Sequence, residues 1–435
     1  MTSHSRTRPR WGRAAAAVAG VLLVAACQSG PSGAAAGDTA AADDGTTLTM
    51  WTRSSTATFS QTLVDAYNAS HKNKVRLTVF PADSYQQKVG TAAGAKQLPD
   101  ILAADVVYAP NYASKGVFLD LSARVAKLPF SGSLAPAHMK AATAGGKHYA
   151  VPHDIDLSAV FYNKVLFTKA GLDPAKPPST LDELGAAARR ISALGGDVEG
   201  YFFGGACPGC QLFTSWPMIW ASGGTVLNDQ GTAATLDNPQ AAQVYAWLRQ
   251  LYTDGAVPAS AKNESGPTWT QSFLDGKIGI QPMGATALQG MKEGPNLQVG
   301  VAPIPGLKGG SSSFVGGDVI GVGSTSTHAA AAWDFIAWTL SDQAQVDVVA
   351  KSKNITVRSD LADNTHAKQD PRLGLFNRLA SEGQTPISVN FGKTFNDTNG
   401  PWTATVIDAV FGGGDVGSIL KQHNAAVTGS LSGGS

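Results

Sequence analysis

Residues 47–80 read TLTMWTRSSTATFSQTLVDAYNASHKNKVRLTVF, and this stretch carries two different periodicities. TLTMW and VRLTVF alternate apolar and polar residues as half-buried strands do, whereas Phe59, Leu63 and Tyr67 recur at i, i+4 and i+8 on one helix face. A second helical stretch containing Tyr85 and Val89 leads to a third strand, PDILAAD, at residues 99–105. Strand, helix, strand, helix, strand is the pattern of a parallel, doubly wound α/β sheet. Ligands of such sheets sit outside the carboxyl ends of the strands. The first residues to consider are therefore Trp51, Thr52 and Arg53, then Asp105 and Tyr108.

The pattern resumes downstream. YAVP and LSAVFYNK read as strands, and Thr180-Leu181-Asp182-Glu183 has the capping-box spacing that opens a helix. GYFFGG is strand-like, and an aromatic helix surrounds SWPMIWASGG. A long helix begins at Asn238-Pro239, buries Val244, Trp247, Leu248 and Leu251, and stops at Gly255. KIGIQPMG, QVGVAPIPG and SFVGGDVIGVG are three more strands. Two α/β regions with no long linker between them make short, element-terminal hinges the expected joint.

The start of the chain has another character. Arg6, Arg8, Arg10 and Arg13 precede thirteen apolar or small residues, Ala14 to Ala26, which is the layout of an export signal. A spanning helix needs about 20 residues, so this one is too short to cross a bilayer. Residues 28–45, QSGPSGAAAGDTAAADDG, hold no large apolar side chain and read as a flexible tether. Loss of residues 1–26 takes 33 basic side chains to 29 against 32 acidic, a net of −3. That balance gives nucleic acid no basic footprint, and nine tryptophans in a weakly charged chain suit a neutral partner. Cys207-Pro-Gly-Cys210 holds the remaining cysteines, and outside the membrane a small structural disulfide is expected there rather than redox chemistry.

Several motifs together resemble the family-1 extracellular solute-binding proteins of ABC importers, the maltose-binding-protein-like receptors. They are LPDILAADVVYAPNYASKGVFLDL (residues 98–121), YAVPHDIDLSAVFYNKVLFTKAGL (149–172), LFTSWPMIWASGG (212–224), FLDGKIGIQPMG (273–284) and FVGGDVIGVG (314–323), in the family's order. Val24-Ala25-Ala26-Cys27 likewise resembles a bacterial lipobox, which implies cleavage before Cys27 and a lipid on its thiol. The resemblance implies an α/β fold of the periplasmic-binding-protein type II class. Its two lobes would be joined by three crossovers, near Pro152, near Pro305 to Phe314 and near Lys351. On that reading residues 1–26 are the signal and 27–45 the lipidated cysteine and tether. Residues 46–153 with 314–350 form lobe 1, and 154–313 with 351–435 form lobe 2. The implied protein is an extracytoplasmic monomer, tied to the outer face of the cell membrane, that delivers a sugar to permease subunits.

A sugar presents C–H-rich ring faces and a rim of hydroxyls. Aromatic rings cover the faces, while carboxylates, amides and arginine pair the hydroxyls. Both residue types recur at strand ends and lobe-facing loops. In the first lobe they are Trp51, Arg53, Asp105 and Tyr108; at the crossover, Asp154 and Asp156; in the second lobe, Phe213, Trp216, Arg358 and Trp402; and Asp318 follows the FVGG strand. Asp156, seven residues before Asn163, stands where the resemblance puts a sugar-binding acid. One departure is the turn Gly284-Ala285-Thr286-Ala287, which lacks the tryptophan often found there in the family.

Rival functions leave weaker traces. No G-x-S-x-G, H-E-x-x-H or P-loop motif occurs, and G-x-G-x-x-G at Gly412, Gly414 and Gly417 follows a helical pattern, so it reads as a helix-ending turn. Asp154 and Asp156 are expected on opposite faces of an extended segment, unlike a glycosidase pair. No cofactor is called for. His148, His153, Asp154 and Asp156 invite a metal reading, but the motif order favours the sugar family. A polyamine site should concentrate carboxylates around aromatics and an amino-acid site should pair an arginine with the carboxylate, and Arg53 keeps the latter alive.

Overall fold

Eight strands form one mixed sheet in the computed structural model, which describes residues 42–289 and 291–433. They are β1 (Thr47–Arg53), β2 (Lys74–Phe80), β3 (Ile101–Asp105), β4 (Val151–Asn163), β5 (Glu199–Tyr201), β6 (Ile278–Gly284), β7 (Val299–Ala302) and β8 (Val315–Val322). The order is β2-β1-β3-β8-β4-β6-β5, with β7 also on β4. β2, β1 and β3 run parallel, as the alternating pattern requires. β8 enters antiparallel between β3 and β4, because the chain reaches it on returning from the second lobe.

The strand that joins the lobes is β4. YAVP and LSAVFYNK were separate expectations, but thirteen residues form one strand. Its first half, residues 151–157, pairs with β8, and its second half, 158–162, pairs with β6. One stiff element thus belongs to both lobes. The chain returns from β7 on β4 to β8 beside β3. Val357 accepts from the amide of Ala135, and Arg358 bridges to Leu134, so this segment still packs on the first lobe.

Helices cover the sheet. Phe59, Leu63 and Tyr67 are buried along one face of α1 (Ala57–Ser70), and Tyr85 and Val89 along α2 (Ala82–Gly94). In the second lobe α3 (Pro208–Ala221) begins at the Cys207–Cys210 disulfide and continues through Pro217. α4 (Pro239–Thr253) is capped by Asn238 and buries Val244, Leu248 and Leu251, with Trp247 half-buried against Tyr201. Thr180 caps its helix by accepting from the Glu183 amide, but the Glu183 carboxylate reaches Ser179 instead of completing the box. The glycine-rich turn at residues 412–415 ends one helical stretch and opens α5 (Val416–Leu431), capped by Asp415.

Residues 1–41 lie outside the described residues, and with them the signal, Cys27 and most of the tether. The end of the tether is not loose. Asn73 Oδ1 accepts from the amides of Asp44, Gly45 and Thr46, and Asp43 accepts from those of Lys72 and Asn73. Residues 43–45 are therefore docked on the first lobe, a correction to the tether's expected reach. Among the described residues no helix is long and apolar enough to cross a membrane.

Candidate functional site

Arg53 is the last residue of β1 and Asp105 the last of β3. Asp318 of β8 stands directly opposite Asp105 on one side and Asp154 of β4 on the other. Directly opposed residues share a face of the sheet, and like charges so placed repel. Arg53 offsets that repulsion. Its Nε and Nη2 donate to Asp318 Oδ1 at 2.8 and 2.6 Å, and its Nη1 lies 3.1 Å from Asp105 Oδ2. The second oxygen of Asp318 accepts from the Thr56 hydroxyl at 2.7 Å. Asp105 also caps the turn that follows it by accepting from the Val107 amide at 3.2 Å.

A bulge sets this register. β8 and β4 slip between Asp318 and Val319, so that Asp318 opposes Asp154 while Val319 opposes Pro152 and His153 has no residue across from it. Bulges re-aim side chains in this way. Gly317 makes the bulge possible: its φ is +102°, and a Cβ there would run into the Asp154 carbonyl. Behind the row, His153 Nε2 meets the Ser60 hydroxyl at 3.0 Å and His138 Nε2 donates to the Asp154 carbonyl at 3.0 Å. Burial pulls both imidazoles down to about 4, so they are neutral at pH 7.

The carboxylates differ in support. Asp156 Oδ1 accepts from the Thr286 amide at 3.0 Å, and burial pushes it up to about 6 against that hydrogen bond. Asp154 is 2 % exposed and its Oδ1 has no hydrogen-bond partner among the described residues. Burial raises it well above the usual carboxylate range, and the charges of Asp156 and Asp318 raise it further. Burial also raises Asp105, against the pull of Arg53. For Arg53 burial acts downward, but Asp105 and Asp318 reverse it and hold the guanidinium above its ordinary value. Asp154 and Asp156 feel one another's charge, which corrects the expectation of opposite faces: residues i and i+2 of a strand point the same way.

Aromatic residues border the row. Trp51 stands two residues before Arg53, with its ring 4.9 Å from Phe80 and Lys88 Nζ 5.5 Å from its centroid. Phe213 of α3 is half-buried against Gly316, the residue opposite Asp156, and 5.4 Å from the Phe314 ring. Tyr108 bridges the lobes: its hydroxyl accepts from Asn396 Nδ2 at 2.9 Å, while Asn111 Nδ2 donates to the Val389 carbonyl at 3.0 Å. The turn that lacks a tryptophan supplies the Thr286 amide to Asp156 instead.

Three of the expected residues lie elsewhere. Trp216 and Trp402 are 0 % exposed. Trp216 packs against Phe395 at 4.9 Å, Trp402 at 5.4 Å and Phe391 at 6.2 Å, and Trp402 Nε1 donates to the Pro208 carbonyl at 3.1 Å. Their ring faces are taken up by other rings, which corrects their assignment as stacking platforms and returns them to the core of the second lobe. Arg358 is fixed in the first lobe. It donates to the Leu340 carbonyl at 3.1 Å and to Asp342 at 2.6 Å, also pairs Asp360, and lies 3.8 Å over the Phe130 ring. All these partners are on elements away from the carboxylate row.

Other residues join the row without having been singled out. Thr56 and Thr286 hold Asp318 and Asp156, Asn396 faces Tyr108 across the lobes, and His138 backs Asp154. Thr286 acts through its amide, which no side-chain pattern can announce. Asn396 sits 288 residues from its partner. The histidine and aspartate groups noted in the sequence separate, since His148 Nδ1 meets the Thr143 hydroxyl at 2.9 Å while His153 turns to Ser60.

A family profile described as bacterial extracellular solute-binding protein matches residues 62–374. A putative binding protein of Brucella abortus is 28% identical over 228 residues, covering 52% of this chain and 54% of its own length. This chain thus matches about half the length of that relative. A diacetylchitobiose-binding protein of Streptomyces coelicolor is 27% identical over 432 residues, covering 94% of this chain and 96% of its own. Among solved structures, a cyclic alpha-maltosyl-1,6-maltose binding protein of Arthrobacter globiformis superposes with a TM-score of 0.74 at 24% identity, over 89% of this chain and 99% of that one. At that identity the match speaks for the two-lobed fold alone.

Proposed function

Because the chain belongs to the bacterial extracellular solute-binding protein family, we propose that it captures a sugar between its lobes and delivers it to the permease of an ABC importer, with no chemistry on the ligand. The observation that carries this reading is the row of Asp105, Asp318 and Asp154, with Arg53 and Asp156, on neighbouring strands beside Trp51, Phe213 and Tyr108. Such a row offers many acceptors for hydroxyls and two aromatic surfaces for ring faces. The sugar-binding names of its relatives in Streptomyces coelicolor and Pyrococcus abyssi support the same ligand class.

The amino-acid alternative is weakened by Arg53. Its guanidinium is spent on Asp105 and Asp318, leaving no free edge for a ligand carboxylate. We further propose that the protein is an extracytoplasmic monomer anchored through lipid on Cys27, as the Val24–Cys27 lipobox implies. Two acyl chains hold a protein to a membrane where one does not. Cys27→Ala should then release the protein from the membrane fraction; retention there would refute the anchor.

Thermal shift against mono- and oligosaccharides, amino acids and polyamines tests the ligand class. A ligand at 100 times its dissociation constant adds about 2.7 kcal/mol to stability. Stabilisation by a saccharide is the expected result, and a response confined to amino acids or to polyamines would overturn the sugar assignment.

A further inference from the structure

The carboxylate row has more negative charge than its one cation balances. Four carboxylates, Asp105, Asp154, Asp156 and Asp318, share Arg53. The guanidinium directs Nε and Nη2 at Asp318 and Nη1 at Asp105. Asp156 has the Thr286 amide. Asp154 is left with a buried oxygen that has no hydrogen-bond partner among the described residues. An unpaired buried acceptor carries a desolvation penalty that a ligand can remove.

The ionisable groups facing Asp154 are two carboxylates, two neutral imidazoles and one arginine that is already paired. From its own strand come Asp156 and the neutral His153, from β8 Asp318, from β1 the committed Arg53, and from the helix Pro136–Ala141 the neutral His138, whose ring serves the backbone carbonyl. None supplies a free positive charge. A sugar hydroxyl would give Asp154 one hydrogen bond and no charge. An ammonium group gives up to three donors and the missing charge at once.

We propose that the subsite at Asp154 takes a protonated amine, so that the ligand is a saccharide bearing a free amino group. This rests on the saccharide reading above and narrows it. Asp154 binds the ammonium as a carboxylate. Burial and the neighbouring charges make the empty site hold the Asp154 proton more tightly than a free carboxylate does, and seating the ammonium drives that proton off to solvent. A neutral sugar needs no such release, since protonated Asp154 can donate to a sugar oxygen.

Isothermal titration of the whole protein with three disaccharides of one skeleton tests this: the free-amine glucosamine disaccharide, its N-acetylated form, and cellobiose. The free amine should bind at least about tenfold tighter than the other two near neutral pH. Its heat of binding should vary with buffer ionisation enthalpy in the sense of proton release, and its advantage should shrink as the pH falls and Asp154 keeps its proton. Asp154→Asn should remove the discrimination between amine and acetamide; its melting temperature reports that the variant folds, and the proton count on the unaltered protein stands without it. Equal or tighter binding of the neutral sugars overturns the amine assignment and leaves the sugar receptor intact. Failure of all three to bind, with a response only to amino acids, overturns both.

Discussion

The carboxylate row on β3, β8 and β4 and the aromatic cluster under α3 are made of the two residue types that a sugar site requires, yet they occupy opposite environments. In the row, Arg53 and Asp105 end their strands and meet Asp318, midway along β8, across neighbouring strands. In the cluster, Trp216, Trp402, Phe391 and Phe395 face one another in a dry interior. The difference is one of element type. A strand that ends at the edge of a sheet leaves its last side chains to whatever approaches, whereas a helix laid on the sheet turns its largest residues inward.

The largest expected effect separates these environments. Trp216→Ala or Trp402→Ala removes a fully buried indole from a ring-filled cluster and should lower stability by about 3–5 kcal/mol. Denaturant unfolding reads the loss directly. A variant of normal stability but weakened ligand binding would return the tryptophan to the site and dissolve the contrast between core and row.

Next comes a substitution that should stabilise. Asp156 is pushed up to about 6 from an ordinary value of 3.8, so the folded empty protein binds this proton more tightly than the unfolded chain. The sign follows: folding is favoured while the carboxyl stays protonated, and stability falls as pH rises from about 4 through about 6. At neutral pH the ionised, buried group weakens the fold by up to about 3 kcal/mol, the Thr286 hydrogen bond already included. Asp156→Asn should therefore raise the melting temperature at neutral pH, with the gain vanishing near pH 4. His153 and His138 act oppositely, since their lowered values make stability fall as pH drops from about 6.5 to about 4. A pH-independent gain in the variant would show that charge burial is not what strains the row.

How much of this could be read from residues alone follows from the range of the interactions. The β1, α1, β2, α2, β3 succession was legible because each element's burial is set by its own periodicity: Leu48 and Met50 alternate with polar neighbours, and Phe59, Leu63 and Tyr67 stack every fourth residue. Asp105, Asp154 and Asp318 were legible as strand-end or crossover acids. Their alignment was not, because it depends on a bulge that Gly317 permits between strands far apart in the chain. The tryptophans were misread for a related reason. Trp216 is enclosed by Phe391, Phe395 and Trp402, which arrive from the last fifth of the chain, and no local pattern around SWPMIW reports that covering. Arg358 was expected on a cleft-facing loop, and only its pairing with Asp342 and stacking on Phe130 show where it lies.

The smallest expected effect probes what joins the row to the opposite lobe. Asn396 donates to Tyr108 at 2.9 Å, and beneath that contact Gly392 leaves room for the tyrosine ring, since a Cβ there would collide with it. Burial raises the Tyr108 hydroxyl to about 12, so at neutral pH it stays protonated and accepts the amide hydrogen. Asn396→Ala deletes one hydrogen bond between lobes, a net change of about 1 kcal/mol. If lobe closure and ligand capture are coupled, that energy should appear as about fivefold weaker ligand binding, while the unfolding free energy of the empty protein changes by less. Small-angle scattering should show a more open empty protein. A loss of global stability equal to the loss in binding would instead make the Tyr108–Asn396 contact part of the core, and the row would then be an interior feature like the tryptophan cluster rather than one wall of a cleft that opens.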